Sequence, residues 1–210
     1  MSDSEFESNL VRRAAAGDEQ ALQTLFSQHS ERLKRMLRLR LNRRLQGRID
    51  SSDILQEAYL EIAKKLDEYL QNPEMSFFLW LRQMTGMKLA ELHRQHLDTQ
   101  KRDANRDVSI YRGALPAANS VSLAAQLLGQ LTTPSEAAIK AEQRLRLQEV
   151  LDSMDPVDRE IIALRHFEHL NSEEAAQVLG MSKSGASSRY VRALKRLKQT
   201  LSEFPEFGDS

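Results

Sequence analysis

The stretch from Asp155 to Leu201 limits the chain most, because it spells two capped helices around a glycine turn and then a helix with an unusual charge. Asp155 can accept the first free N–H groups of a helix, Pro156 suits the first helical position, and Asp158 places negative charge in the first turn. Val157, Ile161 and Leu164 supply an apolar stripe. Asn171 with Glu174 three residues later has the spacing of a capping box, and Ala175, Ala176, Val178 and Leu179 follow until Gly180 ends the helix. The turn is therefore Gly180-Met181-Ser182, with Met181 as its apolar plug. A connection that short makes the next helix, starting near Ser182 or Ser184, cross steeply, with the small Ala176 at the crossing.

On that last helix Ala186, Tyr190, Ala193, Leu194, Leu197 and Leu201 form one stripe, which leaves Ser184, Ser187, Ser188, Arg192 and Lys195 on the outward side. Lys183, Arg189 and Arg196 extend the cationic set. From Ser182 to Leu201 there are six Lys or Arg and no acid. Short hydroxyls flanked by cations suit a DNA major groove: Ser reaches base edges, and Arg and Lys neutralise phosphates.

The remaining chain is long enough for a second core, since 210 residues at 40% apolar content lie well outside the disordered regime. Formal net charge is zero, yet the charge is blocked: Arg32 to Arg48 basic, Asp53 to Glu74 mostly acidic, the C-terminus basic again. A zero sum of that kind can combine a nucleic-acid surface with an acidic protein-binding surface. The absence of Cys excludes disulfides and thiolate metal sites, and no apolar window has the length of a membrane span. A soluble intracellular protein is expected. His93 and His96 are spaced like metal ligands but lack a third, so no metal or other cofactor is expected.

Upstream, Ser4 to Glu7 forms a capping-box pattern, and Leu10, Val11, Ala14 and Ala15 carry a short helix to Gly17-Asp18. A second helix runs through Ala21, Leu22, Leu25, Phe26, Leu33, Met36 and Leu37, with Arg32, Lys34, Arg35, Arg38, Arg40, Arg43 and Arg44 outward. Ser51-Ser52 caps a third, whose Ile54, Leu55, Ala58, Ile62 and Leu66 face a core while Asp53, Gln56, Glu57 and Glu61 form an acidic outer face. Pro73 places Asn72 to Met75 in a loop. Ser76 then caps a long helix opening Phe77-Phe78-Leu79-Trp80-Leu81-Arg82 and continuing through Lys88 and Leu97. So many large apolar groups exceed one buried stripe, and aromatic surface beside the loop can stack on an unpaired base. Asn72 offers an amide for a base edge, Phe77 or Phe78 a stacking plane, Arg82 and Lys88 phosphate contacts, while Trp80, the largest, is assigned to the core. From Asp103 to Thr133 the helical period fades to a linker with a helical turn around Leu123 to Leu128. Thr133 to Glu136 then caps a helix from Ala137 to Met154.

The order of these parts resembles the extracytoplasmic-function (ECF) sigma factors of the sigma-70 family. Asp53-Ile54-Leu55-Gln56-Glu57 is similar to the family's polymerase-docking segment, Phe77 to Arg82, Trp80 included, to its promoter-melting segment, and Asn171 to Arg196 to its fourth-region helix-turn-helix. Gly185 departs from the usual run there and weakens the helix by about 1 kcal/mol relative to Ala. The resemblance implies an all-α chain: a region 2-like domain over residues 1–102, a flexible linker over 103–133, and a region 4-like helix-turn-helix domain, winged-helix-like, over 134–210. It implies a bacterial, cytoplasmic transcription initiation factor rather than an enzyme. Its partners would be core RNA polymerase, through the beta-prime clamp helices and beta flap, promoter DNA both duplex and melted, and an anti-sigma factor as a candidate regulator. Docking would fall to Asp53, Gln56, Glu57 and Glu61; contact with −10 DNA to Asn72, Phe77, Phe78, Trp80, Arg82 and Lys88; contact with −35 DNA to Lys183, Ser184, Ser187, Ser188, Arg189, Arg192, Lys195 and Arg196. The competing expectation is a polymerase-independent helix-turn-helix regulator with an N-terminal sensing or dimerisation domain.

Overall fold

The computed structural model describes residues 3–42, 44–71, 73–97, 115–131 and 137–202. Regular structure among them is helical: α1 (Asp3–Ala15), α2 (Glu19–Arg40), α3 (Ser51–Gln71), α4 (Phe77–Leu97), α5 (Ser120–Leu131), α6 (Ala137–Ser153), α7 (Pro156–Ile162), α8 (Ser172–Leu179) and α9 (Lys183–Ser202). The chain divides into two compact units, one holding α1 to α4 and the other α5 to α9.

In the first unit α2, α3 and α4 pack on one another, and α1 lies against α2 and α3. Asp18 starts α2 by accepting the Ala21 N–H at 3.0 Å. Leu25, Leu33, Met36 and Leu37 of α2 meet Ile54, Ala58, Ile62 and Leu66 of α3 and Leu81 and Leu89 of α4 in a core from which water is excluded. Those positions recur at three and four residues, the spacing of one helical face. The start of α3 differs from expectation by a residue: Asp50, rather than Ser51 or Ser52, accepts the N–H groups of Ser52 and Asp53, and Asp53 in return accepts the Asp50 N–H at 3.1 Å. Arg40, expected outward, is buried, with Nη1 against the Met36 carbonyl at 3.5 Å. On α4, Gly86 forms a notch filled by the side chain of Leu115, where a Cβ would overlap.

In the second unit, twelve residues of the expected linker, Ser120–Leu131, form a helix. Asn119 caps α5 by accepting the Val121 N–H at 2.8 Å, and Leu123, Ala124 and Leu128 are buried. The Glu160 carboxylate accepts the Ala118 N–H at 3.1 Å and so ties the entry to α5 onto α7. Asp155 caps α7 through Val157 and Asp158, with Pro156 in the first turn, as expected. The helix then widens into one π-turn over Ala163–Phe167, which accommodates buried Ile161, Ile162, Ala163, Leu164 and Phe167 on more than one stripe. It closes with His169 at φ 55° and the Leu170 N–H on the Leu164 carbonyl.

Candidate nucleic-acid interface

The helix-turn-helix forms as its residue types dictate. The Asn171 side chain accepts the Glu173 and Glu174 N–H groups, and the Glu174 carboxylate accepts the Asn171 N–H at 2.8 Å. Gly180 ends α8 at φ 65°, a left-handed conformation that costs glycine nothing, and the Met181 N–H bonds the Ala176 carbonyl at 3.0 Å. Ser182 starts α9 by accepting the Gly185 N–H at 3.1 Å. A Cβ on Gly185 would lie 3.0 Å from the same Ser182 Oγ, so glycine's helix cost is tied to close quarters at this cap.

On α9, Ala186, Ala193 and Leu197 are buried, and Tyr190, Leu194 and Leu201 are half-buried. Ser184, Ser188, Arg192 and Lys195 are exposed together, while Ser187 is half-buried. Val191, 63% exposed, sits among them as an apolar group that the sequence reading passed over. The six cations are not equivalent. Lys183 pairs with Glu173 at 3.1 Å, across the turn. Arg189 is held by Asp155 at 2.6 Å and Asp158 at 2.7 Å, and Arg196 meets Asp158 at 3.2 Å. Burial raises the pKa of the Asp155 carboxyl, but the Val157 N–H, the Arg189 charge and the Asp158 N–H together outweigh it, and the group titrates below its ordinary range.

The first unit presents an acidic face on α3. Asp53, Gln56 and Glu57 are exposed and Glu61 half-exposed, with Glu61 3.6 Å from Lys64. Leu60 projects from the middle of this face at 61% exposure. Its position was legible, since residue 60 lies off the stripe formed by Ile54, Leu55, Ala58, Ile62 and Leu66.

The aromatic assignments at the start of α4 are inverted. Ser76 caps the helix as expected, its Oγ accepting the Leu79 N–H at 3.4 Å. Phe77 and Phe78, expected as open stacking planes, are each 4% exposed, packed around His29 and, for Phe78, beneath the Arg32 guanidinium. Trp80, expected in the core, is only half-buried. Its ring lies 4.9 Å from that of Tyr69 with 32° between planes. Tyr69 in turn donates its hydroxyl to the Met75 carbonyl at 3.1 Å, which fixes the loop after Pro73. Tyr69, Trp80, Met75, Gln83, Met84, Met87 and the acids Glu68 and Glu74 line an open cleft of about 210 Å³. Arg82, expected to hold phosphate, is 2% exposed, and Lys88 is occupied by Glu57 and Glu91. Asn72 lies outside the described residues. His93 Nε2 accepts the Asn42 N–H at 3.3 Å, and burial lowers its pKa.

A capped helix-turn-helix with a cationic second helix, in a chain that also holds a separate helical unit, defines a helix-turn-helix DNA-binding protein. Residues 144–197 match the family model for sigma-70, region 4. The chain is 27% identical over 192 residues to the ECF RNA polymerase sigma factor SigD of Mycobacterium tuberculosis, covering 91% of this chain and 82% of that protein. It is also 27% identical to the RNA polymerase sigma factor NccH of Alcaligenes xylosoxydans, over 96% of this chain and 97% of the relative. The structure of CnrH in complex with the cytosolic domain of CnrY shares the fold, with a TM-score of 0.54 at 22% identity over 92% of this chain and 96% of that one. Over most of its length the chain is thus similar to proteins named as ECF or RNA polymerase sigma factors, and over residues 144–197 to sigma-70, region 4. No described helix is long and apolar enough to cross a membrane.

Proposed function

We propose that this chain binds core RNA polymerase, brings it to a promoter through α9 and assists strand opening at the Tyr69–Trp80 cleft. The observation that carries the opening step is the pairing of Trp80 with Tyr69 at 4.9 Å, half-exposed beside Met75 and Met87. An extruded base must find a stacking plane that offsets a few kcal/mol of unstacking, and this pair offers one. The opening surface is therefore Tyr69 and Trp80, with Phe77 and Phe78 behind them as support. On α9 the open set Ser184, Ser188, Arg192 and Lys195 suits the −35 duplex, with Ser187 and Lys183 at its border.

Polymerase docking falls to α3. Gln56, Glu57 and Glu61 surround exposed Leu60, and an apolar anchor inside a polar ring is the arrangement of a binding hot spot. Asp53 belongs to the same face but also closes the cap of α3. The relatives' names speak for the sigma-factor reading over a polymerase-independent regulator. An anti-sigma factor is the further partner we propose; of the similar proteins, CnrH is seen in complex with the cytosolic domain of CnrY.

The test is co-purification with core polymerase, comparing the wild type with Leu60→Glu and Gln56→Ala, followed by permanganate footprinting of a promoter with Trp80→Ala. Loss of polymerase binding with Leu60→Glu and loss of opening, but not of docking, with Trp80→Ala are expected. A wild-type chain that fails to bind core polymerase would overturn the assignment.

A further inference from the structure

The basic helix α9 carries two arginines that lean on one carboxylate. Asp158, on the first turn of α7, has a side chain only 7% exposed, with Oδ1 2.7 Å from Arg189 Nε and Oδ2 3.2 Å from Arg196 Nη1. Arg189 and Arg196 are seven residues apart and hence on the same side of α9, two turns from one another. Their surroundings differ. The Arg189 side chain is 28% exposed and has a second carboxylate, Asp155, at 2.6 Å, so moving it would strand two acids at once. The Arg196 side chain is 69% exposed and holds Asp158 alone at the longer distance. Four residues before it stands exposed Arg192, its neighbour on the same helix edge.

We propose that Asp158 is a positioning residue that sorts the cations of α9: it fixes Arg189 as a strut between α7 and α9, and parks Arg196 as an arm that a DNA phosphate takes over. This rests on α9 being the duplex-binding helix. A phosphate is an anion with the same demand for guanidinium as a carboxylate, and an arginine that is already mostly exposed in its ion pair is cheap to exchange. When Arg196 leaves, Asp158 keeps its charge compensated by Arg189, so the exchange leaves no buried charge unpaired. Arg189 thus contributes nothing to phosphate neutralisation although it lies on the basic helix α9.

The test measures binding of the full chain to a random-sequence DNA duplex as a function of salt. Arg196→Ala should lower the salt slope by about one, the signature of one lost phosphate contact, whereas Arg189→Ala should leave it unchanged. Asp158→Asn should tighten binding by about two- to five-fold, the worth of an exposed ion pair, and this gain should vanish in the Arg196→Ala background. An equal fall in slope for Arg189→Ala, or an Asp158→Asn gain that persists without Arg196, overturns the sorting. Should Arg192→Ala and Lys195→Ala also leave the slope untouched, it is the DNA-binding assignment of α9 that fails instead. If the Asp158 or Arg189 variant does not fold, side-chain guanidinium NMR of the wild-type chain decides: DNA should move the Arg196 signal, assigned with Arg196→Ala, and leave that of Arg189 in place. Movement of both, or of Arg189 alone, overturns the proposal, as does a still Arg196 signal beside a shifted Arg192.

Discussion

Lys88 Nζ on α4 lies 2.9 Å from Glu57 Oε2 on α3 and 3.1 Å from Glu91 Oε2 on its own helix. A cation expected to hold DNA phosphate and a carboxylate expected to dock on polymerase are thus partners of each other. The hydrogen bond to Glu57 raises the Lys88 pKa most, burial opposes it, and Glu91 adds to the rise. A raised folded pKa means that the group contributes its full stability below its unfolded value, about 10.4, and loses it as pH rises through the folded value. Lys88→Met should therefore cost about 1 kcal/mol near neutrality, since Glu57 is half-exposed and solvent screens the pair. The gap between wild type and variant in thermal midpoint should hold constant up to about pH 10 and close above it; a gap independent of pH would show that the loss is packing rather than charge.

The aromatic cluster gives a prediction in which stability and opening separate. Phe77 is 4% exposed and touches both Tyr69 and Trp80, so Phe77→Ala empties core volume and should cost about 3–5 kcal/mol. Trp80, half-buried over an open cleft, should cost clearly less when truncated, about 1–2 kcal/mol for its partial burial, yet abolish strand opening. Urea titrations of both variants, read beside permanganate reactivity, check this. Equal stability losses would return Trp80 to the core.

Why the sequence misplaced these rings is a matter of geometry. Phe77, Phe78, Leu79, Trp80 and Leu81 are five consecutive apolar residues, and periodicity cannot tell which of such a run is left partly open. The partner that decides it, Tyr69, lies on α3 and points at Trp80 only because the loop after Pro73 turns the chain back. The caps at Asp155, Asn171 and Gly180 were legible because each rests on hydrogen bonds within a few residues. So was the buried stripe of α9. The burial of Arg40 and Arg82 and the pairing of Arg189 were not, since both depend on carbonyls and carboxylates brought by other turns and helices. Helix α5 was legible only as a turn around Leu123 to Leu128, because a helix that short depends for its length on packing against α6.

His93 supplies a pH dependence of opposite sign to that of Lys88. Its half-buried ring accepts the Asn42 N–H on Nε2 at 3.3 Å just beyond the end of α2, which requires a neutral ring with the proton on Nδ1, and burial depresses its pKa. With the folded pKa lowered, the stability is present above the unfolded value of about 6.5 and is lost as pH falls from there through the folded pKa, because the unfolded chain takes up the proton first. Thermal melts at decreasing pH should show the wild type losing more than His93→Gln, which retains an acceptor but does not titrate. Parallel losses in the two would place the acid sensitivity elsewhere.

The turn between α8 and α9 yields the last expectation, and it separates backbone strain from lost contact. Gly180 sits at φ 65°, and nothing lies within 4 Å of where its Cβ would be. Any cost of a side chain there is thus conformational, not steric against neighbours. Gly180→Ala should lose about 1–2 kcal/mol, the penalty of an L-residue in the left-handed region, whereas Gly180→Asn should lose much less because Asn visits that region readily. Asn171→Ala, which leaves the Glu173 and Glu174 N–H groups without their acceptor, should cost about 1 kcal/mol by a different route. Because the turn and the cap are separate devices on one helix, the Gly180→Ala and Asn171→Ala losses should nearly add. Denaturant titrations of the single and double variants measure this; equal losses for Ala and Asn at position 180 would mean that the turn is not held by its φ angle.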